Sequence, residues 1–231
     1  MDISKFKDVC NIDINDSSLY VEAMTHRSYL NENDSKDRDH NERLEFLGDA
    51  VLELAVTEYL FLNFKNSEGE LTAWRAALVN GEMLARVAKE LGIEQFLMMS
   101  KGEAKDTGRA RNYLLANAVE AIIGAIYLDS GYKKAKEFIN RTIITHLDEV
   151  LEKKLYIDPK SYFQEKAQEV VNITPKYSVL KEEGPDHNRI FTVGVYLDDE
   201  LVAQGTGTSK QDAQRSAAKE ALNKKGWIDT I

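Results

Sequence analysis

Helical periodicity of apolar positions runs through most of residues 1–154. The stretch 42–62 contains no proline and is apolar on most of its faces, which predicts a buried central helix with Asn41 as its N-cap. A second apolar helix is predicted over 113–132, and an amphipathic helix over 133–154. We therefore expect residues 1–154 to form an all-α domain.

Two stretches are predicted to lie outside these helices. Residues 101–112 are polar and lack periodicity, which predicts a loop. Residues 155–159 lie where the pattern of apolar positions changes, and they are predicted to form a short linker between two domains.

The pattern after the linker is that of a mixed domain. Apolar and polar residues alternate from Ile190 to Leu197, which predicts a β-strand. Two further strands and two flanking helices are predicted around it, over 160–172, 177–183, 201–208 and 210–225. Residues 160–228 are thus expected to form a small α+β domain with the order α-β-β-β-α.

Composition limits the classes of protein to which this chain can belong. Its 231 residues are 43% hydrophobic and 30% charged, as in ordinary globular proteins. Cys10 is the single cysteine, so no disulfide can form within the chain, and this usage suits the reducing cytoplasm. There is no signal-peptide pattern and no stretch well suited to a membrane span, so we expect a cytoplasmic protein without a membrane partner.

The net charge of −9 at first argues against nucleic acid as a partner, because duplexes attract lysine and arginine. The charge is uneven, however. Residues 1–157 carry 27 acidic and 20 basic side chains, whereas residues 158–228 carry 11 and 10. The second domain is almost neutral, so its basic residues can still form one positive patch.

A line of carboxylates follows one face of the central helix. Glu42, Glu45, Asp49 and Glu53 fall within an arc of roughly 80°. A solvated acidic face would explain such a line. The apolar residues around it favour a second explanation, in which the carboxylates face a hard cation such as Mg²⁺.

The second apolar helix offers matching chemistry. Asn117 and Glu120 are neighbours on one face, and Gly124 lies one turn further along. Gly48 and Gly124 could let the two helices approach closely. Facing helices that supply Glu45, Asp49, Asn117 and Glu120 would form an all-oxygen site able to orient water against a phosphodiester. Spacing alone leaves this explanation and the solvated face both open.

Several segments resemble known families. NERLEFLGDAVLE (41–53), THRS (25–28) and ANAVEAIIGAIYLD (116–129) resemble the ribonuclease III family. GPDH (184–187) and SKQDAQRSAAKEAL (209–222) resemble the double-stranded RNA-binding domain. The resemblance implies a homodimeric endonuclease that depends on Mg²⁺, with Mn²⁺ as a substitute and no other small-molecule cofactor. It also implies cleavage of double-stranded RNA to 5′-phosphate and 3′-hydroxyl ends with short 3′ overhangs, in ribosomal RNA precursors and structured messenger RNAs.

The resemblance assigns roles by position. Asp49 and Glu120 match the catalytic carboxylates, and together with Glu45 they match the metal ligands. Glu42 and Glu68 match further acidic positions that line the active-site cleft of the family. Phe46 matches an aromatic residue that packs across the dimer interface, although plain core packing would also explain it.

Asn117 departs from the family, which usually has aspartate at this position. An amide oxygen can bind Mg²⁺ but brings no charge, so three explanations stay open: a tolerated variant, an inactivating change or a different metal preference. An inactive chain would be an RNA-binding protein that keeps the fold, which is the alternative function.

The RNA contacts implied by the second domain lie on three segments. Duplex RNA is recognised through 2′-hydroxyls and phosphates, which suits neutral hydrogen-bonding side chains and a helix N-terminus. The expected contacts are Ser161, Gln164 and Gln168 on the first helix, His187 in the hairpin loop, and Lys210, Gln214 and Arg215 on the last helix.

Overall fold

A computed structural model describes residues 1–33, 39–105, 107–185 and 189–227. The chain divides into two compact units, Met1–Tyr156 and Ile157–Ile231. The first is helical and the second has the order α-β-β-β-α, which confirms the predicted fold class. His187 lies outside the described residues.

The first unit is built from eight α-helices and three short 3₁₀ turns within the described residues. The turns are Ile93–Phe96, Glu103–Lys105 and Ile144–His146. The helices are α1 (Ile3–Cys10), α2 (Ser17–Ala23), α3 (Arg27–Asn33), α4 (Glu42–Asn63), α5 (Glu68–Val79), α6 (Gly81–Leu91), α7 (Arg109–Thr142) and α8 (Leu147–Glu152).

Helix α7 differs from the prediction at both ends. It begins at Arg109, so residues 109–112 are helical rather than part of a loop. Tertiary contacts explain this: Arg111 Nε lies 2.8 Å from Glu94, and Lys89 Nζ donates to Asn112 at 2.6 Å. The predicted boundary at 132–133 corresponds to a break at Gly131, whose φ of 81° lies in the left-handed region that favours glycine.

Helices α4 and α7 cross at the centre of the unit with their backbones in contact. A Cβ atom built on Gly48 would lie 1.7 Å from the carbonyl oxygen of Glu120. A Cβ on Gly124 would lie 2.3 Å from the carbonyl oxygen of Leu44. Only glycine allows this approach, which confirms the predicted close contact at these two positions and fixes the distance between the helices.

The start of α4 corrects one expectation. Asn41 precedes the helix but has helical backbone angles, and its side chain makes no capping hydrogen bond. Its backbone N–H instead donates to the carbonyl of Thr25 at 2.9 Å, and the residue is buried. Asn41 therefore joins the start of α4 to the segment before α3.

The stretch Arg109–Glu152 is the one helical segment among the described residues that is long and apolar enough to cross a membrane. Most of its most apolar 18-residue window is buried inside the first unit. Leu115, Ile122 and Phe138 are fully enclosed. Packing in a protein core therefore accounts for its apolar composition.

The second unit is a three-stranded antiparallel sheet in the order β1-β2-β3, packed against two helices. Its elements are α9 (Pro159–Val171), β1 (Lys176–Glu183), β2 (Ile190–Leu197), β3 (Glu200–Gly207) and α10 (Lys210–Lys225). Phe163, Val195, Val202 and Leu222 form its core. Asp158 caps α9 and Pro159 is its first residue, as proline's fixed φ favours.

A one-residue bulge interrupts β1. Val179 pairs with Val193, but the next paired residue is Lys181, opposite Thr192, so Leu180 is extra. Because side chains alternate between faces, one extra residue reverses the facing of everything after it. Glu182 consequently pairs with Phe191 and shares the face of the sheet that α10 covers.

Candidate functional site

Two carboxylates on α4 meet an amide and a carboxylate on α7. Glu45 and Asp49 lie one turn apart, close to the point where Gly48 contacts α7. The Asn117 side chain hydrogen-bonds to the Glu45 carboxylate. Glu120, one turn from Asn117, is close enough to Asp49 and Glu45 for both charges to act on it. These four residues are called the acidic cluster below.

The acidic cluster is electrostatically unfavourable in isolation. Burial, followed by the charges of Asp49 and Glu45, raises the pKa of Glu120 to about 8. The pKa of Glu45 is also raised, first by burial and then by Glu42, while the hydrogen bond from Asn117 opposes the shift. Like charges kept together at partly buried positions are typical of functional sites.

Each end of the carboxylate line pairs with an arginine, and His40 also lies near the first end. Glu42 Oε1 lies 3.5 Å from Arg27, and Glu42 Oε2 lies 3.9 Å from His40. Glu53 forms an ion pair of 2.8 Å with Arg75. A uniformly solvated face would not produce this division: the ends are paired, and the middle of the line faces α7.

The donor set fits a hard divalent cation. All four groups offer oxygen, the ligand that Mg²⁺ prefers. A cation would offset both the burial and the like charges that raise the pKa of Glu120. No three acidic, histidine or cysteine side chains among the described residues already converge as a metal-binding group. The carboxylates would therefore have to rotate inward around an ion.

Glu68 and Phe46 lie outside the acidic cluster. Glu68 is in the first turn of α5, on the wall of a cavity of about 530 Å³ that Phe61 and Arg75 also line. Phe46 is 81% exposed, which excludes core packing within a single chain.

The predicted RNA-binding residues of α9 lie together. Ser161, Gln164 and Gln168 line one shallow groove with Glu165 and Glu169. Gln168 also hydrogen-bonds to Asn172. These neutral polar groups face outward from the helix, as contacts to 2′-hydroxyls require.

The predicted residues of α10 each have a partner within the second unit. Lys210 Nζ lies 3.3 Å from Glu182, and Arg215 Nε lies 3.3 Å from Asp158. The Gln214 side chain accepts a hydrogen bond of 2.8 Å from Lys160. Sequence reasoning missed Glu182 and Asp158, because the first depends on the bulge and the second on the packing of α9 against α10.

Comparison with known proteins identifies the family of this chain. The Ribonuclease-III-like family profile matches residues 16–147, more than half of the chain, and the profile of the double-stranded RNA binding motif matches residues 159–225. The chain belongs to the ribonuclease III family. This membership makes it a double-strand-specific endoribonuclease with a separate RNA-binding unit.

Individual ribonuclease III proteins are similar over nearly the whole length. Ribonuclease 3 of Carboxydothermus hydrogenoformans is 45% identical over 215 residues, which cover 93% of this chain and 92% of that protein. Ribonuclease 3 of Clostridium perfringens is 41% identical, with 95% and 94% covered. A solved ribonuclease III nuclease domain from Campylobacter jejuni is 42% identical, with a TM-score of 0.56, and the match covers 62% of this chain and 97% of that domain.

Proposed function

We propose that this ribonuclease III hydrolyses double-stranded RNA with a divalent cation, Mg²⁺ or its substitute Mn²⁺, held by Glu45, Asp49, Asn117 and Glu120. The observation that carries the proposal is the acidic cluster itself. Burial and like charge raise the pKa of Glu120 to about 8, a cost that a bound cation would offset.

The residues of the cluster have separable roles in this proposal. Asp49 and Glu120 are the catalytic carboxylates, and Glu45 and Asn117 complete the ligand set. Glu42 raises the pKa of Glu45 from the end of the line. Glu68 would act from the wall of a separate cavity, which Lys65 and Arg75 also line. A bound divalent cation would supply Lewis acidity and would neutralise charge on the phosphate.

Hydrolysis in this proposal breaks the bond between phosphorus and the 3′ oxygen. The hydroxyl of one water joins phosphorus and its proton goes to the 3′ oxygen, giving 5′-phosphate and 3′-hydroxyl ends. Short 3′ overhangs follow from staggered cleavage of the two strands. Ribosomal RNA precursors and structured messenger RNAs in the cytoplasm are the proposed substrates.

Self-association supports staggered cleavage, because each copy can cut one strand. Phe46, Leu54 and Phe61 lie along one face of α4 and are 81%, 57% and 70% exposed. Such an apolar face is typical of an interface. The solved Campylobacter jejuni domain has a region involved in dimer formation. We infer that this face of α4 joins two copies in a homodimer, with Phe46 at the contact.

RNA binding by the second unit is proposed to use three segments. Ser161, Gln164 and Gln168 would contact 2′-hydroxyls, while His187, which lies outside the described residues, would enter a neighbouring groove. Lys210, Gln214 and Arg215 would contact phosphates at the start of α10. Dimer avidity and cation binding in the acidic cluster then compensate for the negative net charge.

Asn117 favours a second candidate, an inactive protein that binds duplex RNA without cutting it. Its amide removes one negative charge from the ligand set, which weakens attraction for a cation. The hydrogen bond to Glu45 holds the amide within the cluster, so its oxygen stays within reach as a ligand.

Incubation of the full-length protein with a long RNA duplex in Mg²⁺ or Mn²⁺ tests both candidates. Short fragments with 5′-phosphate ends are expected, and Glu120→Gln or Asp49→Asn should abolish cleavage but keep duplex binding. Glu149→Gln is the matched control, because Glu149 lies on α8, outside the acidic cluster, where it pairs with Arg86 and Lys153. A bound but intact duplex with the wild-type protein would support the inactive candidate instead.

A further inference from the structure

A carboxylate of β1 engages cations at the proposed phosphate-binding end of α10. Glu182 Oε1 lies 3.3 Å from Lys210 Nζ, and Glu182 Oε2 lies 3.4 Å from Arg189 Nη1. The Lys210 ammonium also lies 5.6 Å from the centre of the Phe191 ring. Lys210, at the proposed phosphate-binding end of α10, therefore shares one internal carboxylate with Arg189.

The bulge in β1 produces this arrangement. In a regular ladder without the bulge, Leu180 would pair with Thr192, so Lys181 would take the face that α10 covers and Glu182 would point to the opposite side. With the bulge, Glu182 stands beside Phe191 and opposite the first turn of α10. The pairing register between β1 and β2, rather than the local sequence, thus places the Glu182 carboxylate next to Lys210.

We propose that Glu182 is an internal competitor for the RNA phosphate that Lys210 binds, and that it sets the affinity and salt dependence of the RNA-binding unit. This inference rests on the proposed role of Lys210 in RNA binding. A carboxylate and a phosphodiester carry the same charge and accept the same hydrogen bonds. A phosphate that approaches Lys210 must displace Glu182 or share the cation with it.

The pair is open enough to exchange. The side chains of Glu182 and Lys210 are 37% and 59% exposed, and ion pairs at such positions are weak. Glu182 therefore lowers the gain from each phosphate contact without blocking the surface. It also reduces the number of counterions released on binding, because the carboxylate already compensates part of the positive charge.

Glu182 is a cleaner test than Asp158, the second acid that pairs with a predicted RNA contact. Asp158 Oδ2 lies 3.3 Å from Arg215, but Asp158 Oδ1 also accepts the backbone N–H of Ser161 as the cap of α9. Its removal would disturb the helix. Glu182 lies within a strand and caps no helix, so its neutralisation leaves the scaffold in place.

The experiment measures binding of a short RNA duplex by the full-length protein in EDTA, across a series of salt concentrations. Duplex integrity is checked afterwards on a denaturing gel. The variants are Glu182→Gln, Lys210→Ala and the double variant. Glu200→Gln is the matched control, because it removes the same charge from another ion pair of the second unit. Glu200 pairs at 3.0 Å with Lys225, which lies at the far end of α10, about 22 Å along the helix from Lys210.

Glu182→Gln is expected to lower Kd about three- to tenfold near 0.1 M salt, equivalent to roughly 0.7–1.4 kcal/mol. The salt dependence should steepen by about one released counterion or more. The gain should largely vanish in the Lys210→Ala background. Glu182→Thr, a strand-forming replacement, should act in the same direction, so the result does not depend on one side chain.

Several outcomes would overturn the proposal. These are an unchanged or higher Kd for both folded Glu182 variants, a gain equalled by Glu200→Gln, or a full gain in the Lys210→Ala background. Failure of the wild-type protein to bind the duplex is a different result, because it would overturn the proposed RNA-binding function itself.

Discussion

Neutralising Glu120 is expected to remove the activity of this enzyme and to increase its stability in the absence of metal. Burial and the charges of Asp49 and Glu45 raise the pKa of Glu120 from 4.5 to about 8. A carboxyl group with a raised pKa binds its proton more tightly in the folded state. Its favourable contribution is complete below pH 4.5 and is lost as the pH rises towards 8.

The magnitude follows from that shift. Converting the whole pKa shift into free energy of unfolding at 1.36 kcal/mol per pKa unit gives almost 5 kcal/mol. Solvent screening of this partly exposed group reduces that free energy to about 1–2 kcal/mol. Glu120→Gln does not titrate, so the variant should match the wild-type protein near pH 5 and exceed its unfolding temperature by roughly 3–6 °C at pH 9.

Calorimetric unfolding of the full chain in EDTA at pH 5, 7 and 9 measures this difference. Mg²⁺ should stabilise the wild-type protein more than the variant. Glu149→Gln is a control that should change stability in the opposite direction. Hydrogen bonds from Lys153 and Arg86 lower the pKa of Glu149 to about 2, so removal of this carboxylate should destabilise the protein. A stability difference independent of pH, or a less stable Glu120→Gln protein at pH 9, would refute the reasoning.

Three further predictions concern the helices of the first unit. Asn117→Asp should lower the Mg²⁺ concentration needed for half-maximal cleavage, and an unchanged or higher requirement would show that residue 117 is not a ligand. Gly48→Ala should destabilise the unit by about 3 kcal/mol or more in a denaturant titration, because the new Cβ would lie 1.7 Å from a carbonyl oxygen. Gly69→Ala, with nothing within 4 Å of its Cβ, should be neutral or stabilising, and equal effects of the two would contradict the backbone contact. Phe46→Ser should convert the proposed homodimer to monomers in light scattering. Leu128→Ser, at a residue that is 54% exposed on α7, should not. A dimeric Phe46→Ser protein would exclude this face of α4 as the interface.

The sequence predicted those helices and strands whose pattern of apolar and polar residues lies within one continuous segment. The apolar run of α4 and the alternation in β2 are such signals, and the paired glycines indicated where α4 and α7 meet. The carboxylate spacing placed Glu45 and Asp49 on one face, and the structure brings Asn117 and Glu120 to them.

Features that depend on distant partners were not predictable in this way. The first turn of α7 is held by Glu94 and Lys89, residues far from it in the chain. The pairing of Glu182 depends on a bulge that no local residue type requires. Whether an apolar residue such as Phe46 is enclosed or exposed depends on the neighbours that the fold supplies.

The main-chain contact between α4 and α7 has a consequence for how the cation preference of the proposed metal site could evolve. Because Gly48 and Gly124 leave no side chain between the helices, exchange of packing residues cannot tune their spacing. Larger ions such as Ca²⁺ take more oxygen ligands at longer distances than Mg²⁺. Selection acting on this chain would therefore work by exchanging carboxylate and amide groups, as the asparagine at 117 illustrates, while the gap between the helices remained constant.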